Sequence, residues 1–171
     1  MMTQRLIGAV LVAGSGAWVG QKARQKLRRH AALLEGLSAA CTMMKSEVSF
    51  LHTPPEEMFS LLAKTGRPES EFFQRVSVLL KQKGSLAPAW QQAMEEMAES
   101  WGLSGLEQSE LLRLGEALGR YDLEGAVAHL AAASDKFGQW GKEAAVKAQN
   151  DGKLLFTLWT LAGCMVAVLL M

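Results

Sequence analysis

Three histidines and two cysteines are the side chains of this 171-residue sequence best suited to bind a metal ion. Several metal ligands must converge on one ion, so they usually recur at short spacings such as Cys-x-x-Cys. His30, His52 and His129 lie far apart, and none has a second His or a Cys at such a spacing. The sequence therefore predicts neither a metal centre nor another cofactor, and we expect these histidines to be solvated at the surface.

Groups for covalent or acid–base catalysis are equally sparse. Adjacent acids such as Glu56 and Glu57 do not face each other on a helix. The glycines between residues 115 and 125 lack the Lys-Ser or Lys-Thr pair of a phosphate-binding loop. Cys41 lies on a helix-patterned stretch and Cys164 in an apolar tail, so both are interpreted as reduced thiols that pack as small apolar side chains. We expect no enzyme activity.

Charge is unevenly distributed along the chain, although the net charge is only +1. Residues 31–153 contain 12 Lys and Arg against 17 Asp and Glu, which could favour a basic protein partner. A basic collar without any acid precedes them: Lys22, Arg24, Lys26, Arg28 and Arg29. The collar has no aromatic residue on which bases could stack, so nucleic acid is not an expected partner. Anionic lipid headgroups are the nearer partner, at about 1 kcal/mol per basic residue; a role in membrane topology alone is the alternative.

Two uncharged apolar segments, residues 6–20 and 154–171, flank the charged region. A membrane-spanning helix needs roughly 20 apolar residues, which predicts transmembrane anchors at residues 1–20 and 154–171. Positive residues beside a span stay on the cytoplasmic side, and both the collar and Lys153 lie between the two anchors. Residues 21–153 are therefore predicted to form a cytoplasmic domain. A cleaved N-terminal signal peptide, which would leave an exported protein anchored by its tail, is the alternative.

Gly16 and Gly20 form a GxxxG pattern inside the first apolar segment. This spacing allows two membrane helices to approach closely. The partner could be the small residues Ala162 and Gly163 or a second copy of the chain, which would make the protein a homo-oligomer. General enrichment of glycine in membrane helices explains the pattern equally well.

The elements that carry these residues are predicted to be helices, because no stretch alternates as a β-strand does. We predict an all-α bundle of about six helices, with two long outer helices that continue into the anchors. Each outer helix has a seam, meaning a row of residues spaced by three and four positions along one face of the helix. The two seams predict that the outer helices pair antiparallel. The first seam is Leu34, Leu37, Cys41, Met44, Val48 and Leu51, and the second is Val127, Leu130, Ser134, Phe137, Gly141, Ala144 and Ala148.

Short helices are predicted between the outer two. Thr53 is placed as an N-cap with Pro54 as the first helical residue, and Asp122 is placed to cap the last helix. Gly84 and Gly119 predict helix ends, Gly119 in the left-handed conformation. The apolar residues expected in the core are Met58, Leu61, Leu62, Phe72, Phe73, Val76, Leu79, Leu80, Trp90, Met94, Met97, Leu111, Leu114 and Leu118.

Five segments, read in order, carry a resemblance to a known family. They are residues 6–10 (LIGAV), 37–66, 71–97, 111–130 and 150–163. In order and spacing the chain resembles the stage III sporulation protein AB family of endospore formers over nearly its whole length. The fold implied by this resemblance is similar to the cytoplasmic domain of type II secretion and type IV pilus platform proteins.

The resemblance implies a non-enzymatic platform in the channel between the mother cell and the forespore. Its partners would be a secretion-type ATPase, similar to stage III sporulation protein AA, and other membrane subunits of the channel. Its location would be the mother-cell membrane around the forespore. A platform subunit of a general secretion or pilus machine is the alternative. The family-matching positions Glu47, Thr53, Gly115, Gly119 and Asp122 are the candidate partner contacts, and a purely structural role is the alternative for each.

Overall fold

The computed structural model of the chain describes residues 25–51, 54–120 and 123–169. Helix α1 covers residues 25–46 and ends in a π-helical turn at Glu47–Leu51. No strand occurs among the described residues, so the predicted all-α class is confirmed. Five further helices follow α1 in these ranges: α2 at Pro55–Ala63, α3 at Ser70–Lys83, α4 at Leu86–Trp101, α5 at Gly105–Leu118 and α6 at Leu123–Leu169.

Two compact units divide the chain, one at His30–Lys142 and one made of Met1–Arg29 with Glu143–Met171. Within the first unit, α2 packs on α3, α3 on α4, and α4 on α5. Gly84 ends α3 in the left-handed conformation, with φ of 68°. Glycine adopts this conformation readily because it has no Cβ, and the helix end predicted at Gly84 is confirmed.

Helices α1 and α6 pair antiparallel inside the first unit, as their seams predict. The Ser38 hydroxyl donates to the backbone oxygen of Ser134 at 2.8 Å. Gly141, two turns further along α6, lies against Glu35, almost one turn back along α1. Residue numbers therefore rise on one helix while they fall on the other. The seam residues that are buried include Leu34, Leu37, Cys41, Met44, Leu130 and Phe137.

Trp90 on α4 lies in the aromatic core of the first unit and is only 1% exposed. Its ring centroid is 4.8 Å from that of Phe72 and 5.9 Å from that of Phe59. The near-perpendicular arrangement with Phe72 is the edge-to-face geometry that aromatic pairs favour. The indole Nε1 donates to the backbone oxygen of Leu111 on α5 at 2.8 Å, so the buried polar atom has a partner.

The predictions for α2 need two corrections. Leu61 is 44% exposed, and Phe59 is buried in its place beside Met58 and Leu62. The N-cap is Pro54, and α2 begins at Pro55, so the predicted cap and first helical residue are each one position too early. A residue before proline is driven out of the helical region, and Pro54 accordingly has an extended ψ of 141°.

The left-handed helix end predicted at Gly119 is also wrong. Gly119 ends α5 with φ of −78° and ψ of −10°, in the right-handed region. Its N–H donates to the backbone oxygen of Gly115 at 3.1 Å. A Cβ on Gly119 would lie 3.3 Å from the Cβ of Ala87, so close packing against the start of α4 explains the glycine better than backbone conformation does.

The predicted membrane anchors remain predictions. In the part of the chain that the structure describes, no helix has a stretch both long and apolar enough to cross a membrane. The predicted span at residues 1–20, with Gly16 and Gly20, lies outside the described residues. Met165 is the one residue of 154–171 whose side chain is described, and it is 69% exposed.

Candidate protein-interaction sites

The end of α1 carries the first candidate site. Glu47 is half-buried and opens the π-helical turn, a feature that occurs frequently at functional sites. Phe50 in the same turn is 80% exposed. An aromatic side chain that is this exposed offers a large apolar surface to a binding partner. The turn therefore combines a predicted contact residue with an aromatic side chain that the sequence analysis did not select.

Two other predicted contacts, Gly115 and Gly119, lie one turn apart at the end of α5. Gly115 is buried, and a Cβ placed on it would be 2.3 Å from Cδ1 of Trp90. Gly119 is exposed, although it closely approaches Ala87. Gly115 thus allows the indole of Trp90 to approach α5 closely, which is a packing role. Glu47 lies at the end of α1, on a different helix from these two glycines.

The last two predicted contacts, Thr53 and Asp122, lie outside the described residues. Asp122 directly precedes Leu123, the first residue of α6, so its predicted capping role stays a prediction. Thr53 directly precedes Pro54, which is the residue that occupies the N-cap position of α2.

A groove between α3 and α4 is the second candidate site. Its centre is a bidentate ion pair, in which Nε of Arg75 lies 2.5 Å from Oε2 of Glu96 and Nη2 lies 2.8 Å from Oε1. The hydrogen bonds from Arg75, and then one from Gln92, lower the pKa of Glu96 to about 2. Val78 is 42% exposed, so the groove combines charge with apolar surface. The full lining is Glu71, Gln74, Arg75, Val78, Glu96, Met97 and Ser100.

The prediction that His30 is solvated at the surface holds only in part. Its Nε2 lies 3.1 Å from Oε1 of Glu107, and its side chain is 23% exposed. Glu107 is buried and also completes the capping box of α5, where its Oε2 accepts from the backbone N–H of Ser104 at 2.6 Å. The Ser-x-x-Glu pattern in the sequence could have indicated this cap, but not the partner 77 residues away on α1.

The chemistry of the remaining candidate groups is limited. Cys41 is buried and has no disulfide partner among the described side chains, and burial, followed by the charge of Glu110, raises the pKa of its thiol to about 12. Such a thiol stays neutral and is a poor nucleophile, which confirms its interpretation as a small apolar side chain. Within the described ranges, no three His, Cys, Asp or Glu side chains cluster closely enough to hold a metal ion.

Comparison with known proteins matches residues 5–171 to the family described as stage III sporulation protein AB. The chain belongs to this stage III sporulation protein AB family. The match covers almost the full sequence, including the segments on which the resemblance was based, so the predicted family is confirmed.

A curated member of the stage III sporulation protein AB family shows how far the similarity extends. Stage III sporulation protein AB of Bacillus subtilis (strain 168) is 26% identical over 169 residues. The alignment covers 98% of this chain and 99% of that protein, so the two have nearly the same extent. No solved structure gave a significant match.

Proposed function

We propose that the chain is a non-enzymatic assembly platform of the channel between the mother cell and the forespore. The observation that carries the proposal is the family match over residues 5–171, which supports a role in sporulation. The platform acts by binding: it couples a secretion-type ATPase to the membrane subunits of the channel. A helical bundle with an exposed aromatic side chain and a charged groove suits such a role.

The proposed location is the mother-cell membrane that surrounds the forespore. Two anchors, at residues 1–20 and 154–171, hold residues 21–153 on the cytoplasmic side, where the ATPase is. The support for this topology is the lack of charge in residues 6–20 and 154–171, together with the basic collar between them. The collar also places positive charge next to anionic lipid headgroups.

The proposed ATPase contact is the end of α1. Phe50 leaves 80% of its side chain to solvent, and aromatic residues are enriched among the few that dominate binding energy at protein interfaces. Removing an exposed side chain has little effect on stability, usually within about 0.5 kcal/mol. Binding and folding are therefore separable at this position. Glu47, at the start of the same turn, is the second proposed contact residue.

Co-purification of the full-length protein with the ATPase tests this contact. Phe50→Ala should reduce the amount of ATPase recovered while the melting temperature stays unchanged. Glu47→Ala should leave the domain folded and also reduce the recovery of the ATPase. Leu106→Ala is the matched control for Phe50, because Leu106 is 73% exposed on α5. Glu116→Ala, an exposed acid on the same helix, is the control for Glu47.

Either of two results would contradict the proposed contact. The first is equal recovery of the ATPase with Phe50→Ala, Glu47→Ala and the unmodified chain. The second is an equal loss with the two controls, which would indicate a general surface effect. Expression outside sporulation, next to genes for an exporter or pilus, would instead favour the general secretion platform.

A further inference from the structure

Glu69, directly before α3, is the most unusual buried polar residue in the described part of the chain. Its side chain is only 2% exposed. It occupies the N-cap position of α3 but makes no side-chain capping bond. Among the described residues its Oε2 has no hydrogen-bond partner. A buried carboxyl oxygen is normally paired, so this exception needs an explanation.

The carboxyl group of Glu69 lies directly against Gly36 on α1. A Cβ placed on Gly36 would be 1.9 Å from Oε2 and 2.8 Å from Oε1 of Glu69. The carboxyl group therefore occupies the space that any other residue at position 36 would fill. Gly36 provides neither a positive charge nor a side-chain donor. The contact joins the loop between α2 and α3 to the middle of α1.

A charged carboxylate is poorly accommodated at this contact. Taking an ion out of water is strongly unfavourable unless a partner compensates for it. Burial accordingly raises the pKa of Glu69, while a hydrogen bond from its own backbone N–H and then the charge of Arg67 oppose the change to a smaller extent. Arg67, on the same loop, is the charged neighbour that acts on the carboxyl group, and the facing residue on α1 is Gly36.

We infer that Glu69 is a proton-dependent latch: its neutral carboxyl group keeps the loop before α3 docked on α1, and ionisation releases the loop. The release is local, because only the carboxyl group has to reach water. It frees the segment between α2 and α3 and loosens the first turn of α3. The latch thereby makes the position of this loop on α1 depend on pH.

The direction of the pH dependence follows from the raised pKa. Below the ordinary glutamate pKa of about 4.3, docked and released loops both carry a neutral Glu69, and docking is strongest. As the pH rises above that value, the released loop loses its proton first, so docking weakens. The weakening stops once the pH exceeds the pKa of the docked state.

Hydrogen exchange by mass spectrometry tests the latch on the full-length protein in a mild detergent. Unmodified chain and Glu69→Gln are compared at about pH 4, below the ordinary glutamate pKa, and at about pH 8, well above it. Glu69→Gln mimics the neutral carboxyl group, so residues 64–73 should exchange several-fold more slowly in the variant at the higher pH and nearly equally at the lower pH. Glu71→Gln, an exposed acid in the first turn of α3, should follow the unmodified chain.

Equal exchange of residues 64–73 in Glu69→Gln and the unmodified chain at both pH values would overturn the latch. So would a pH effect that spreads over α5 and α6, since that indicates global unfolding. If Glu69→Gln does not fold, the unmodified chain still decides the question. After correction for the intrinsic effect of pH on exchange, protection of residues 64–73 must fall with pH relative to residues 126–142, and a constant ratio contradicts the proposal.

Discussion

Gly115→Ala is the substitution for which the structure makes its clearest energetic prediction. The new Cβ would lie 2.3 Å from Cδ1 and 2.4 Å from Cγ of Trp90. Real contacts at such distances do not exist, so the indole or the helix must move. Trp90 is 1% exposed and is enclosed by Phe59, Phe72 and Phe73, and the core around it leaves little room for that movement.

Three terms set the size of the effect. Overpacking a well-packed core costs about 1–3 kcal/mol. If the indole turns away from Leu111, its buried N–H loses the 2.8 Å hydrogen bond, at a cost of about 1–3 kcal/mol. Alanine is a better helix former than glycine, and this difference offsets about 1 kcal/mol of the destabilisation. With this hydrogen bond lost, the net destabilisation is about 3 kcal/mol, which lowers the melting temperature by about 6–12 °C in a chain of this length.

Thermal unfolding followed by circular dichroism provides the assay. Gly105→Ala is the matched control, because Gly105 begins α5 and its would-be Cβ has no atom within 4 Å apart from those of its chain neighbours and its own helix backbone. A melting temperature of Gly115→Ala equal to that of the control would refute the packing argument. Loss of ATPase co-purification at an unchanged melting temperature would instead make Gly115 the contact residue predicted from the family resemblance.

Three further predictions concern single side chains. Glu96 should titrate with a pKa of about 2 in carboxyl NMR and move toward the ordinary glutamate range in Arg75→Gln, because the hydrogen bonds from Arg75 hold the pKa down. Cys41, with a pKa of about 12, should resist iodoacetamide in the folded protein at about pH 8 and react after unfolding, as measured by mass spectrometry. Ser104→Ala should cost about 1 kcal/mol in thermal unfolding by removing an N-cap, whereas Ser85→Ala should cost much less because Ser85 makes no capping bond.

Periodicity was sufficient to predict the two seams and most of the core. Burial of one helix face requires apolar residues at every third or fourth position, and this regularity is visible at Leu34, Leu37 and Met44 without any structure. In the nine-residue helix α2 the pattern is too short to choose a face, which is why Leu61 was selected and Phe59 was missed.

Contacts between distant segments could not be predicted in the same way. The pairing of His30 with Glu107 and the approach of Glu69 to Gly36 depend on how the helices are arranged in space. The role of Gly115 also depends on a neighbouring helix, since its close approach to Trp90 exists only once α4 and α5 pack. The exposure of Phe50 could not be predicted from the sequence. Phe50 lies in a stretch with a helical pattern, and that pattern suggests burial for the neighbouring residues.

Deletion of the gene in its own host, scored by counting heat-resistant spores, tests the central claim most directly. The proposed platform role predicts a collapse in spore number with arrest after engulfment, and recovery when the intact gene is restored. A normal number of heat-resistant spores in the deletion strain would contradict it.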